Sequence, residues 1–253
     1  MCVNIKNVVL GDGITKVCLP IIATTKEDIL NEARSMVPLT ADIIEWRADF
    51  FEQVMNQDKV LEVLEELTDI LEDKPVLFTF RTKAEGGEKY IDVLYYKLLL
   101  GAVIRQGKAA AVDVELFIGD GVLEDIVAKA KECDCVVIAS NHDFDKTPDK
   151  TEIINRLLTM KDKGAHISKI AVMPRCPEDV LTLLHATVDA KKMREDITLI
   201  TMSMGQLGVI SRLGGGIFGS AMTFGAKTKE LASAPGQVEV NELKGILSVV
   251  EQY

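Results

Sequence analysis

Eight short apolar, β-branched runs alternate with segments of helical period, and this alternation constrains the fold of the chain most. The runs are KVCLPII (16–22), ADIIEWRAD (41–49), PVLFTFR (75–81) and AAVDVEL (110–116), then CVVIASN (135–141), HISKIAVMP (166–174), ITLITMSMG (197–205) and GIFGSAMTFG (216–225). Between them, KVLEVLEELTDIL (59–71) sets Val60, Leu61, Leu64, Leu67 and Leu71 along one stripe. LEDIVAKAKE (123–132), TEIINRLLTMKDK (151–163) and EDVLTLLHATVDAKK (178–192) behave alike, and the tail from Val238 gives a last helix. Strands alternating with helices imply a parallel sheet. Eight such units in 253 residues suit one closed (β/α)8 barrel domain spanning 1–253, since such barrels take about 250 residues. A doubly wound open sheet is the alternative, because periodicity does not prove closure. The opening VNIKNVVLGDGI (3–14) reads as a small hairpin, within 1–15, turning at Gly-Asp-Gly.

The formal net charge is −10, which argues against a nucleic-acid or anionic-membrane partner but leaves room for a local basic pocket. The five cysteines form no disulfide framework, and Cys133 and Cys135 lack a second pair to complete a zinc site. Reduced thiols in a cytoplasmic protein are the reading. No signal peptide opens the chain and no apolar run is long enough to cross a bilayer.

A (β/α)8 barrel carries its active site at the C-terminal ends of its strands, and the polar residues concentrate there. The second run ends in Glu45-Trp46-Arg47-Ala48-Asp49, with Glu45 and Arg47 on one face by alternation. The third ends on Arg81, with Glu85 following in a Gly-Gly loop; the fourth carries Asp113 and Glu115. The fifth delivers Asn141 and His142, the sixth Lys169, and Arg212 follows the seventh. Any one of these could be a structural ion pair, and for a single Glu or Arg that reading is favoured. Lys169 could simply pair with Glu45, Asp113 or Glu115. Together at one mouth, an amine, an imidazole and a carboxylate suggest carbonyl chemistry through a Schiff base. Desolvation and cations such as Arg47 and Arg81 would favour the neutral amine. Histidine is a natural base, Glu85 could orient it, and arginines bind a substrate carboxylate through paired hydrogen bonds. His166 and His185 receive no role, and Met202 and Met204 read as core or pocket lining. Gly214-Gly215-Gly216 resembles a phosphate cradle but serves equally as a turn. The loop within 226–237, containing LASAPGQ, could close over the mouth as a lid.

Taken together, EWRAD (45–49), LFTFRTKAEGGE (77–88), DVELF (113–117), SNHDFDKTP (140–148), KIAVMP (169–174), ITMSMGQLGVISRLGGGIFGSAMTFG (200–225) and SAPGQ (233–237) resemble type I 3-dehydroquinate dehydratase, along essentially the whole chain. The resemblance implies a (β/α)8 barrel with the hairpin across its bottom, in a shikimate-pathway lyase without metal or cofactor. It implies syn elimination of water from 3-dehydroquinate to 3-dehydroshikimate. Lys169 would form the imine. His142 would remove the adjacent proton and help the hydroxyl leave, with Glu85 as its partner. Arg212 would clamp the carboxylate; Glu45, Arg47 and Arg81 would hold hydroxyls and shape the pocket charge; Ser233 and Gln237 would belong to the closing loop. A homodimer is implied, and no second shikimate activity. The chain departs from some relatives after Glu85, where GGEKYIDVLYYKLLL (86–100) runs almost directly into helix.

Two rival readings are separable. A class I aldolase would share the imine but break a carbon–carbon bond, and a phosphorylated substrate would require a phosphate cradle. A non-catalytic ligand-binding barrel would keep the arginine clamp without nucleophile or base.

Overall fold

The computed structural model describes residues 2–228 and 236–251. Eight parallel strands run in the order in which they occur: β3 (Lys16–Ile21), β4 (Ile43–Arg47), β5 (Val76–Thr79), β6 (Ala111–Glu115), β7 (Val136–Asp143), β8 (Ile167–Val172), β9 (Leu199–Ser203) and β10 (Met222–Phe224). β10 pairs with β3, and the ring closes at β9 and β10 through a Leu199–Ser220 bridge. There Ala221 N–H donates to the Leu199 carbonyl at 2.7 Å and Thr201 N–H to Ser220 Oγ at 3.0 Å. Closure leaves no sheet edge exposed, and the fold is the (β/α)8 barrel.

The helices between the strands are α1 (Lys26–Met36), α2 (Gln57–Leu71), α3 (Val93–Gln106), α4 (Val122–Glu132), α5 (Lys150–Asp162), α6 (Pro177–Met193) and the short α7 (Val209–Leu213), with α8 (Val240–Val250) last. Side-chain oxygens of Thr25, Asn56, Asp92 and Asp149 cap the N-termini of α1, α2, α3 and α5, satisfying amides that have no partner inside the helix. In α2 the stripe is Val60, Val63, Leu64, Leu67 and Leu71; Leu61, expected within it, sits half-buried at its edge. None of the described helices is long and apolar enough to cross a membrane.

Strand alternation divides the apolar residues into two layers. Outward residues such as Ile44, Trp46, Phe78, Val112 and Val114 pack against the helices. Inward residues such as Ile43, Leu77, Ala111, Ile138 and Ile167 fill the lower barrel. The N-terminal strands β1 (Val3–Ile5) and β2 (Val8–Leu10) form the expected hairpin. Its fully buried Ile5 and Leu10 belong to the same cluster as Ile43, Ala111, Val136 and Ile167, the first residues of β4, β6, β7 and β8. The hairpin therefore plugs the bottom of the barrel and leaves the opposite mouth open.

Two sequence expectations are corrected. The hairpin turns at Lys6-Asn7, between the paired Ile5 and Val8, with Lys6 at φ 50°; Gly11-Asp12-Gly13 follows β2 and leads into the barrel. The eighth strand is only Met222–Phe224, because Gly215–Phe218 forms a 3-10 turn with Ile217 facing solvent. The Gly214-Gly215-Gly216 run is thus a turn. It lies beside Thr15 and Glu251, away from the mouth.

Candidate active site

The inward register that is apolar at the bottom of the barrel becomes charged at the top. On β6, Ala111 gives way to Asp113 and Glu115; on β4, Ile43 gives way to Glu45 and Arg47. On β8, Lys169 is 3 % exposed, two residues above Ile167. Its ammonium lies 3.2 Å from Asp113 Oδ2, 3.9 Å from Glu45 Oε1 and 4.5 Å from the centre of the Phe224 ring. The charges nearest Lys169 are therefore carboxylates, two of the three partners the sequence offered it, rather than the cations Arg47 and Arg81.

Arg81 points to the floor of the site. Its Nη2 donates to Asp113 Oδ1 at 2.7 Å, and its Nη1 to Glu115 Oε1 at 2.9 Å and Ser140 Oγ at 3.0 Å. Ser140 Oγ donates in turn to Asp113 Oδ1 at 2.6 Å. Burial, the largest influence on Asp113, acts to raise its pKa. The Arg81 and Lys169 charges and the bonds from Ser140 and Arg81 outweigh it, leaving Asp113 below the ordinary carboxylate value. Buried charges persist only with such compensation. Glu45 accepts from Thr79 Oγ1 at 2.8 Å. Arg47 is held by Asp49 through two bonds, Nε to Oδ1 at 2.8 Å and Nη2 to Oδ2 at 2.9 Å, the planar fork geometry of guanidinium and carboxylate.

Across the pocket, His142 sits near the end of β7 with its Nδ1 2.9 Å from Glu85 Oε2. The same oxygen accepts the His142 backbone N–H at 2.8 Å, and Glu85 Oε1 accepts Asn141 Nδ2 at 3.1 Å. Burial pushes Glu85 up to about 8; Arg81 opposes this, Glu115 adds to it, and the Asn141 and His142 bonds oppose it. Burial, then the Arg81, Lys169 and Arg47 charges, hold His142 well below the usual histidine value. Both shifts disfavour charge on these two buried groups.

The loop after Glu85 is compact. Gly86 takes φ 83° to end the 3-10 turn Lys83–Glu85, and a Cβ there would strike the Phe144 ring. Gly87 passes so close to the Arg81 carbonyl that a Cβ would lie 2.0 Å from its oxygen. Lys83 N–H donates to the Lys89 carbonyl at 3.0 Å and Glu88 N–H to Asp49 Oδ2 at 3.1 Å, and helix α3 begins at Val93.

Arg212, on α7, is 1 % exposed, with Nη1 3.6 Å from Met202 Sδ and 3.5 Å from the Phe224 carbonyl oxygen. Burial pushes its guanidinium down to about 10. One cavity at the mouth is lined by Glu45, Arg47, Arg81, Glu85, His142, Lys169, Arg212 and Gln237, with Phe144, Met202, Met204 and Phe224. Charged groups on an apolar wall suit a small polar molecule. Eight of the nine expected site residues thus meet at one place. Ser233 and most of the candidate lid lie outside the described residues, while Gln237 reaches the mouth.

Sequence reasoning gave no role to Asp49, Ser140 or Phe224. Asp49 lies within EWRAD and was visible as a buried acid beside Arg47. Phe224 gave no signal, since an aromatic in an apolar run is ordinary core.

A closed (β/α)8 barrel with a buried lysine and a histidine–carboxylate pair facing one polar pocket defines an enzyme acting on a small molecule. The profile of the type I 3-dehydroquinases matches residues 17–253. A 3-dehydroquinate dehydratase of Clostridium botulinum is 49% identical over 250 residues, covering 99% of this chain and 98% of its own. That of Bacillus subtilis is 47% identical over 249 residues, covering 98% and 97%. The crystal structure of the type I 3-dehydroquinate dehydratase of Clostridium difficile, with covalent modified comenic acid, superposes with a TM-score of 0.96 at 48% identity, covering 100% of this chain and 98% of the other. The chain belongs to the type I 3-dehydroquinase family, and it is a hydro-lyase.

Proposed function

We infer that the chain dehydrates 3-dehydroquinate to 3-dehydroshikimate by a syn elimination through an imine on Lys169. The observation that carries this reading is the placement of Lys169 and the His142–Glu85 pair in one cavity lined with arginines. Names of close relatives support the substrate.

The geometry supports the following sequence of steps. Lys169 attacks the ketone as the neutral amine, so its ammonium first gives up a proton; His142, in the same cavity, takes that proton and returns it to the hydroxyl of the addition product, which leaves as water, while Asp113 and Glu45 stay charged. Loss of water from the addition product leaves a protonated imine. Its positive charge takes the place of the ammonium beside Asp113 and Glu45, so the carboxylates that hold the resting lysine also stabilise the intermediate. The imine draws electrons from the neighbouring carbon, and His142 Nε2 removes a proton there while Nδ1–H donates to Glu85. The enamine then expels the hydroxyl. His142 returns its proton to that leaving group from the same side, which makes the elimination syn. Hydrolysis of the product imine restores Lys169. Arg212 binds the substrate carboxylate at the mouth. Glu45 and Arg47 meet the hydroxyls, with Gln237 beside them at the mouth. Arg81, engaged by Asp113, Glu115 and Ser140, contributes its charge from below.

Incubation with unphosphorylated 3-dehydroquinate tests the reading, with the absorbance of the conjugated enone product as signal. Growth of that absorbance is expected; its absence with folded protein would overturn the activity, and carbon–carbon cleavage products would favour the aldolase. A cytoplasmic homodimer completes the proposal on family resemblance, and light scattering in solution tests the dimer.

A further inference from the structure

Asn141 sits one residue from His142 yet on the opposite face of β7, and it does not line the substrate cavity. It is only 4 % exposed. Its Oδ1 accepts from Arg156 Nη1 at 2.8 Å, and its Nδ2 donates to Glu85 Oε1 at 3.1 Å. Arg156, on α5, is fixed in turn by Glu152 Oε1 at 2.7 Å from Nε, and its guanidinium lies 5.5 Å from the centre of the Phe117 ring.

The chemistry of an amide makes this chain directional. An arginine only donates, so Asn141 must face it with its oxygen. The NH2 group is then turned to Glu85 and offers a donor to Oε1. Glu85 Oε2 already meets the His142 backbone N–H at 2.8 Å. Both oxygens of Glu85 are thus approached by donors that cannot accept, which suits a carboxylate and leaves no acceptor there for a carboxylic acid proton except His142 Nδ1. Were the amide reversed, its oxygen would face Oε1 and call for a proton on Glu85.

We propose that Arg156 and Asn141 are positioning residues for the dehydration, holding Glu85 as the carboxylate that keeps the His142 proton on Nδ1 and its Nε2 open to the substrate. The inference rests on the reading of His142 as the proton-transfer group, and extends the site outward from the pocket to the face of α5. The charged groups around the pair are Arg81, 3.6 Å from Glu85 Oε2, and Glu115 on β6, with Lys169 and Arg47 acting on His142. All of them remain in place when Arg156 or Asn141 is changed.

The test is a pH titration of the free enzyme by nitrogen NMR with labelled histidine, in which His142 is one of only three histidines. The pH at which His142 becomes the neutral Nδ1-protonated form should rise by about one unit in Asn141→Ala, the scale set by one hydrogen bond to a charged group. Arg156→Gln should shift it in the same direction, and Arg156→Lys should restore part of the difference. In turnover, kcat near neutral pH should fall with KM unchanged, and recover as pH rises. Should Asn141→Ala fail to fold, Arg156→Gln still decides the question, since that side chain is partly exposed. An unmoved titration, or a kcat loss that is the same at every pH, would overturn the proposal. The titration uses neither substrate nor imine, so its outcome is separate from that of the Schiff-base reading.

Discussion

Replacing Glu85 with glutamine changes almost nothing in shape and removes one charge. Glu85 Oε2 lies 2.9 Å from His142 Nδ1 and accepts the His142 backbone N–H at 2.8 Å, and Oε1 accepts from Asn141 at 3.1 Å. A glutamine can present its oxygen to only one side. Either its NH2 opposes the Asn141 NH2, or it opposes the His142 backbone N–H. The imidazolium formed when His142 takes the substrate proton also loses its counter-charge. A hydrogen bond to a charged group contributes about 1.5–3 kcal/mol. At about 1.36 kcal/mol per tenfold in rate, kcat should fall about 10- to 150-fold, with little change in KM because Glu85 is not a substrate clamp. The pH dependence gives an independent readout. Glu85 is raised from the ordinary carboxyl value to about 8, so in the parent enzyme the base form of the pair grows in as pH rises towards about 8. The variant retains only His142, held well below its usual value, so its acid limb should lie at lower pH. The sign for stability agrees. A carboxyl with a raised folded-state pKa binds its proton more tightly folded than unfolded, so its contribution is present at low pH and lost as pH climbs to about 8. Relative to Glu85→Gln, the parent protein should lose stability over that climb. Steady-state kinetics from pH 5 to 9 (a range of about two units around neutrality) and thermal melts check both. A kcat within twofold of the parent (about 0.4 kcal/mol) and an unmoved acid limb would refute the pairing.

Two further outcomes are expected. His142→Ala should still bind substrate but turn over about 10²–10⁴-fold more slowly, the usual contribution of general acid–base catalysis, and near-normal rates would remove His142 from the mechanism. Arg212→Ala should raise KM by about 10- to 100-fold, the scale of a hydrogen bond to a charged group, and an unchanged dependence on substrate concentration would argue against the clamp.

The barrel was legible because each strand is short, apolar and bounded, and because eight such strands in this length leave little choice of architecture. The site was legible because a parallel strand buried on both faces has no ordinary use for a Lys169, an Asp113 or a Glu45. What alternation cannot supply is distance around a closed ring. It puts Asp113 and Lys169 on the same inward face, but β7 lies between their strands, and only the curvature of the barrel brings their side chains to 3.2 Å. That is why the sequence could offer Lys169 both the carboxylates of Glu45, Asp113 and Glu115 and the cations Arg47 and Arg81 without choosing, and the structure selects Asp113 and Glu45. Asn141 was counted among the strand-end residues, but its role stayed hidden for the opposite reason. It points away from the pocket, and its part emerges only when α5 carries Arg156 to it. The errors at the ends of the chain are local. Glycine attracts a turn assignment, yet the hairpin reverses at Lys6-Asn7, where the two strands are simply in register. Ile217 and Phe218 look like strand residues, yet three glycines before them favour a tight turn. Helix α1 was passed over because charged residues crowd KEDILNEARSM, although Ile29, Leu30, Ala33 and Met36 lie at helical spacing and are buried together.

The imine on Lys169 is the central claim, and borohydride reduction in the presence of 3-dehydroquinate tests it most directly. Borohydride turns an imine into a stable secondary amine, so intact and peptide mass spectrometry can weigh the adduct and locate it. The expected result is a substrate- or product-sized addition on Lys169, absent without substrate and absent from Lys169→Ala. No adduct on a folded, substrate-treated protein, or an adduct on another lysine, would contradict the mechanism.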